Sequence, residues 1–192
     1  MAQIGSFTLL LALALSIYSF AAGIFALLSP GPGSERVGET ARRAGIVVFG
    51  AVVLAAIALV VSAFRDDFTI AYIFHHSNRD LSAPYKFAVL WSGQEGSLLF
   101  WSLLLSGYGF VLRLRSKADP RLYSYASVIL AAVQIFFLLL VNFAANPFGI
   151  LEGPLRPDGS GLNPLLQYPE MVIHPPMLYL GYVGFTVPFA FA

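Results

Sequence analysis

Cysteine is absent from the 192 residues, so the chain forms no disulfide, thiolate nucleophile or Cys-ligated zinc site. Any metal or haem iron it holds must be taken by His, Met, carboxylate or Tyr. Charge is also scarce: 11 basic and 10 acidic residues leave a net +1, with no surplus to neutralise a phosphate backbone. Nucleic acid is thereby excluded as a partner. There is no Ser-His-Asp set, phosphate-cradling Gly-rich loop or HExxH motif, so soluble-type hydrolase and nucleotide chemistry has no footing. What the chain does have is apolar surface. Hydrophobic residues make up 58% and charged residues 11%, a surplus that needs lipid.

The expected fold is all-α, a polytopic transmembrane bundle of about five spans over 4–28, 45–64, 87–112, 123–145 and 177–192. The first run has no basic residue ahead of it and is long enough to cross a bilayer, so it reads as a retained helix rather than a signal peptide. Between the first two spans, Ser29-Pro30-Gly31-Pro32-Gly33 cannot continue a helix. The stretch 65–86 is too polar to span, and its Phe68, Ile70 and Tyr72 alternate like a short strand. The third span starts near Phe87 or Gly96, depending on whether Glu95 is admitted. The long connection 146–176 holds Pro154, Pro157, Pro164, Gly159 and Gly161, so it reads as loop with short helical pieces. The fifth span is still apolar at Ala192, as if cut in mid-helix. Arg36, Arg42 and Arg43 crowd the first connection, and Arg113, Arg115, Lys117 and Arg121 the third, which assigns both to the cytoplasm. The amino terminus, loops 65–86 and 146–176 and all three histidines are then extracytoplasmic, in a chain of 1–192 read as one unit. No inverted repeat of broken helices suggests a secondary transporter.

Two segments carry unusual chemistry. Trp91-Ser92-Gly93-Gln94-Glu95-Gly96-Ser97 through Trp101 places a carboxylate at the mouth of a span. On one continuous helix, Trp91, Glu95 and Ser102 would share a face, with Gly93 and Ser97 permitting close packing. Glu95 is then either solvated beside an aromatic belt or part of a polar site. The second segment, Asn163 to Tyr179, sets His174 directly before Pro175-Pro176, which read as opening the fifth helix and restricting the backbone at the imidazole. A neutral imidazole is a common haem ligand, although a lone His is more often an interfacial anchor. Met171 and Met177 are potential thioether ligands but more often packing. His75-His76 point to opposite faces of any strand and read as exposed loop.

Together these segments carry a resemblance. Asp67-Phe68-Thr69-Ile70-Ala71-Tyr72, Ser77-Asn78, Trp91 to Trp101, Asn146-Pro147-Phe148, Leu162-Asn163-Pro164-Leu165-Leu166-Gln167 and His174-Pro175-Pro176 followed by Tyr179 to Phe185 resemble, in order, the amino-terminal part of the CcmF/NrfE/CcsA-type family. CcmF is the haem lyase component of bacterial cytochrome c maturation. The resemblance implies a multi-pass protein of the bacterial inner membrane that receives b-type haem, as substrate in transit, from a haem chaperone. It would assist thioether attachment to apocytochrome c together with other maturation subunits. It further implies that His174 is one axial ligand to the haem iron. Beside it, Trp91, Glu95, Trp101, Pro175 and Pro176 are candidates for a haem- or partner-facing site. The second axial His and the ligands of a separate structural haem b lie in later parts of the family, so lyase (cytochrome c synthetase) activity is expected of the complete protein rather than of these residues alone. Gln94 and Ser92 stand where the family often has His and Gly, so no ligand role is carried to them. Two other readings fit the architecture: a haem or small-molecule transporter, and a non-catalytic assembly subunit of a split lyase.

Overall fold

The computed structural model describes the chain except Pro30, Pro32, Ser116, Lys117, Ala118 and Leu155. Pro30 and Pro32 of the expected first break, and Lys117 of the basic third connection, therefore lie outside the described residues. Among the described residues eight α-helices follow one another: α1 (Ala2–Leu28), α2 (Ser34–Phe64), α3 (Ala71–His76), α4 (Ala83–Ser92), α5 (Gln94–Arg115), α6 (Pro120–Leu139), α7 (Glu170–Gly184) and α8 (Thr186–Phe191). Among the described residues four stretches are long and apolar enough to cross a bilayer: Ala2–Leu28, Ser34–Phe64, Gln94–Leu114 and Pro120–Ala144. The expected fifth crossing is instead the pair α7 and α8. The 15 residues of α7 rise only about 22 Å, short of a ~30 Å hydrocarbon core. Pro188 has no N–H for the Gly184 carbonyl, and the helical path breaks there.

The four long helices form a ring in which α1 packs on α2 and α6, and α5 packs on α2 and α6. Where α2 meets its neighbours its buried positions are mostly small, among them Ala44, Ala51, Ala55, Ala56, Ala58 and Ala63. Small side chains let backbones approach where lipid supplies no hydrophobic drive for helix association. Leu9, Val52, Leu59, Leu99 and Leu138 fill the centre, while Phe7, Leu54, Phe136 and Phe143 point outward, as a lipid-facing surface requires. The helix α6 ends in a π-turn, Leu140–Ala144, closed by Ala145 N–H donating to Leu140 O at 2.8 Å. From that turn Asn142 Nδ2 donates to Leu138 O at 2.7 Å and to Leu9 O at 3.3 Å, tying α6 to α1.

The loops after α2 and after α6 clasp each other. The expected strand at Phe68–Tyr72 is reduced to one antiparallel bridge, Ile70 to Ile150, because the chain turns into α3 at Ala71. Around it Ala71 N–H donates to Gly149 O at 2.9 Å and Leu151 N–H to Thr69 O at 2.8 Å. Farther along, Ser160 and Gly161 donate to the carbonyls of Phe74 and Ser77 at 2.7 and 3.1 Å, and Asp158 accepts from Arg79 N–H at 3.0 Å. Gly159 is required there, since any Cβ would collide with the Ser77 carbonyl. Lys86 Nζ, nearly buried, meets Asp66 Oδ1 at 2.6 Å and holds α4 to the end of α2.

Candidate functional site

The segment 91–101 is two helices, not one. In an unbroken helix Gly93 N–H would donate to Val89 O. Here the Tyr72 hydroxyl stands between them, donating to Val89 O at 2.7 Å and accepting from Gly93 N–H at 3.0 Å. A side chain inserted into the helical ladder is a recognised cause of a break. Burial pushes the Tyr72 phenol well above its ordinary pKa, which keeps the proton that makes this bond. Gly93 admits the intrusion: a Cβ there would collide with His76 and crowd Tyr72. His76 is half-buried, its ring stacked on Tyr72 at 4.3 Å and its Nδ1 paired with Tyr72 O at 2.9 Å. Both histidines thus lie on α3 rather than in a loop, His75 exposed as expected and His76 half-buried.

The break separates the candidate residues. Trp91 ends on α4 and is 6% exposed, whereas Glu95 lies half-exposed in the first turn of α5, where the helix dipole favours a carboxylate. Trp91, Glu95 and Ser102 thus share no single helical face. Trp101 is half-buried and stacks on Phe137 of α6 at 4.9 Å. Aromatic contacts run from Trp91 to Phe100 at 5.4 Å, from Phe100 to Tyr179 at 5.7 Å and from Tyr179 to Trp101 at 5.9 Å. Trp101 therefore meets Tyr179 of α7 directly, and Trp91 reaches it through Phe100.

The Pro-Pro pair does not open the last helix. Helix α7 begins at Glu170 and carries Pro175 and Pro176 inside it. The physical reason lies in the carbonyls they leave free. Pro175 cannot donate to Met171 O, and that acceptor is taken instead by the Trp91 indole, Nε1 to O at 3.0 Å. A buried side chain of α4 thereby substitutes for the missing helical bond one turn before the proline. Val172 and Pro176, four residues apart on one face, join Trp91, Phe100, Leu103 and the α2 residues Val53, Ile57 and Val60 in an apolar groove of about 520 Å³. His174, two residues from each, is rotated by roughly 200° and faces away. Its ring is exposed and makes no hydrogen bond among the described residues. The same outer side of the helix leaves Ile173, Met177 and Leu178 exposed, while Met171 is buried.

Tyr72, Phe100 and Tyr179 were not singled out from sequence. The only signal for the indole contact was Pro175 itself, whose position implies an orphan acceptor at Met171 without naming its donor.

Comparison with known proteins places this arrangement. Residues 91–192, which contain both the break and α7, match the family model described as Cytochrome C assembly protein. The chain is 37% identical over 193 residues to cytochrome c-type biogenesis protein CcmF of Escherichia coli (strain K12), covering 100% of this chain and 29% of that protein. It is 38% identical over 146 residues to the probable cytochrome c-type biogenesis protein NrfE of the same organism, covering 74% of this chain and 26% of that one. A solved structure titled Cytochrome c Heme Lyase CcmF superposes with a TM-score of 0.82 at 28% identity, over 98% of this chain and 29% of that chain. The chain spans about 29% of the length of the CcmF relative. Shared sequence over its whole length and shared fold together make this chain a member of the cytochrome c assembly protein family.

Proposed function

We propose that these residues form the amino-terminal part of a haem lyase of cytochrome c maturation, in which His174 is an axial ligand to haem in transit. The observation that carries the reading is the fixing of an outward-facing imidazole. His174 projects from a helix whose inner face is locked by the Trp91 bond to Met171, three residues earlier, and by the Tyr179 aromatic contacts. Its ring nitrogens have no hydrogen-bond partner among the described residues, so one is available to iron while the helix sets its depth. Haem is the substrate here, handed on by a haem chaperone in the outer leaflet region of the bacterial inner membrane.

In thioether formation a cysteine S–H adds across a haem vinyl group: sulfur bonds one vinyl carbon and the proton ends on the other. No protein nucleophile is needed, so positioning of haem and apocytochrome supplies the acceleration. His174 serves that positioning until the apocytochrome's own histidine replaces it. Trp91 acts behind it as a positioning residue, since its buried indole is committed to Met171 O. Glu95, on the neighbouring helix start, orients a partner only if its charge is compensated. Other maturation subunits and the remaining length of the protein complete the site.

In the complete protein, His174→Ala is expected to abolish holocytochrome c while leaving membrane insertion intact. The measurement is haem-stained cytochrome c together with the haem absorption spectrum of the purified lyase. Normal cytochrome c yield, or an unchanged spectrum, would sink the assignment.

A further inference from the structure

The apolar groove of about 520 Å³ between α2, α4, α5 and α7 is large enough for a ligand, since small-ligand sites run to ~300–1,000 Å³. It is also reachable: Ile57 and Phe87 on its walls are 52% and 48% exposed. Every lining residue is aliphatic, aromatic or proline, and the one side-chain N–H among them, the Trp91 indole, is committed to Met171 O. A polar group entering the groove would lose water with no bond in return, whereas hydrocarbon fits. None of the lining residues ligates iron, which sets the groove apart from the haem reading of His174.

One end of the groove is cationic. Val53, Ile57 and Val61 line it at successive turns of α2, over a rise of about 12 Å, and Arg65 follows one turn later. Arg65 N–H donates to Val61 O at 3.0 Å, so the residue keeps the helical register, in which a side chain leans back over the turn before it. Its side chain is exposed and pairs with no carboxylate among the described residues. The acids beside it are engaged elsewhere: Asp66 meets Lys86 Nζ at 2.6 Å, and Asp67 accepts from the Thr69 hydroxyl. At Arg65-Asp66-Asp67 the apolar run of α2 ends, so this guanidinium lies where hydrocarbon gives way to headgroups, with the groove beneath it.

We propose that the groove holds an acyl chain of one phospholipid whose phosphate is met by Arg65. The chain matches the lining, the phosphate matches the unpaired cation, and the two are joined at the depth where the bilayer itself joins them. Arginine is well suited to such oxygens. Val172 and Pro176 form the α7 wall, so the acyl chain packs against the back of the helix whose outer side carries His174. The inference does not depend on what His174 binds.

The test uses the complete protein in detergent, stripped of lipid and titrated with dioleoyl phosphatidylglycerol or with dioleoylglycerol, which has the same chains and no phosphate. Native mass spectrometry counts the bound lipid. A saturable phosphatidylglycerol site is expected, with dioleoylglycerol weaker by about 5-fold, the factor that one basic residue near a membrane surface supplies. Arg65→Gln should cause the same loss for phosphatidylglycerol and none for dioleoylglycerol. Ile57→Trp, which sets an indole in the groove, should abolish both, while Leu54→Trp on the outward side of α2 should alter neither. Arg65 and Ile57 are both exposed, so neither change disturbs the packed core. Absence of saturable phosphatidylglycerol binding, or wild-type affinity in both Arg65→Gln and Ile57→Trp, overturns the proposal. A loss confined to Ile57→Trp assigns the groove to an occupant without a headgroup and overturns it too. So does a cryo-EM map of the complete protein in nanodiscs that shows one of its own helices seated there.

Discussion

Two side-chain groups complete the hydrogen bonding of helices other than their own. The Trp91 indole satisfies Met171 O, and the Tyr72 hydroxyl satisfies both Val89 O and Gly93 N–H. Trp91→Phe keeps the aromatic packing but strands a buried carbonyl, at a cost of about 1–3 kcal/mol in thermal or denaturant unfolding of the complete protein. The more discriminating experiment is a double-mutant cycle. Pro175→Ala restores an N–H that can take Met171 O, so Trp91→Phe should lose most of its effect in that background. Additive losses would show that the indole acts by packing rather than by replacing the helical donor. His174 was legible as a residue with a restricted backbone from its Pro-Pro neighbours, and as a ligand only from the family resemblance. That its ring faces outward was not, because the rotation of α7 is set by Val172 and Pro176 lying in the groove against α2, α4 and α5.

At the scale of elements, the departures from a simple hydropathy reading have local causes. The apolar run 87–112 is interrupted at Gly93 by a tyrosine that lies 21 residues earlier in the chain, and no window of local sequence contains both partners. Helix α2 starts at Ser34, ahead of its apolar run, because Glu39 with Arg42 and Arg43 pairs at helical spacing and supports the polar turns. Helix α7 starts at Glu170 because Trp91 supplies a donor for the carbonyl that Pro175 leaves open. Gly93→Ala is expected to press a methyl against His76 and Tyr72, costing about 1–3 kcal/mol as overpacking does, and to shift the start of α5. A lowered melting temperature with reduced holocytochrome yield is the expected readout; an unaltered melting temperature would mean that the neighbours give way freely.

At the scale of the whole molecule, the absence of cysteine from residues 1–192 lets the proposed sidedness be measured by thiol labelling of cysteines placed there. Single cysteines at exposed Ser160 and at exposed Arg36 meet no competing native thiol within residues 1–192. An impermeant maleimide added to intact spheroplasts should label Ser160→Cys at once and Arg36→Cys only after permeabilisation; the reverse order would invert the orientation drawn from the arginines. The clasp between the two loops makes a further expectation: Asp158→Ala removes the acceptor of Arg79 N–H and should speed proteolytic cleavage in 146–162 without displacing the long helices. By itself the sequence determined the membrane class, the long apolar helices and the residues to suspect, because span length and backbone restriction by proline are local properties. The tertiary structure alone decided that Trp91 lies inside, that Trp91 and Glu95 belong to different helices, and that His174 looks outward. Each of those outcomes depends on a hydrogen bond or a packed face between residues far apart in sequence, whose partners become known only when the helices are placed together.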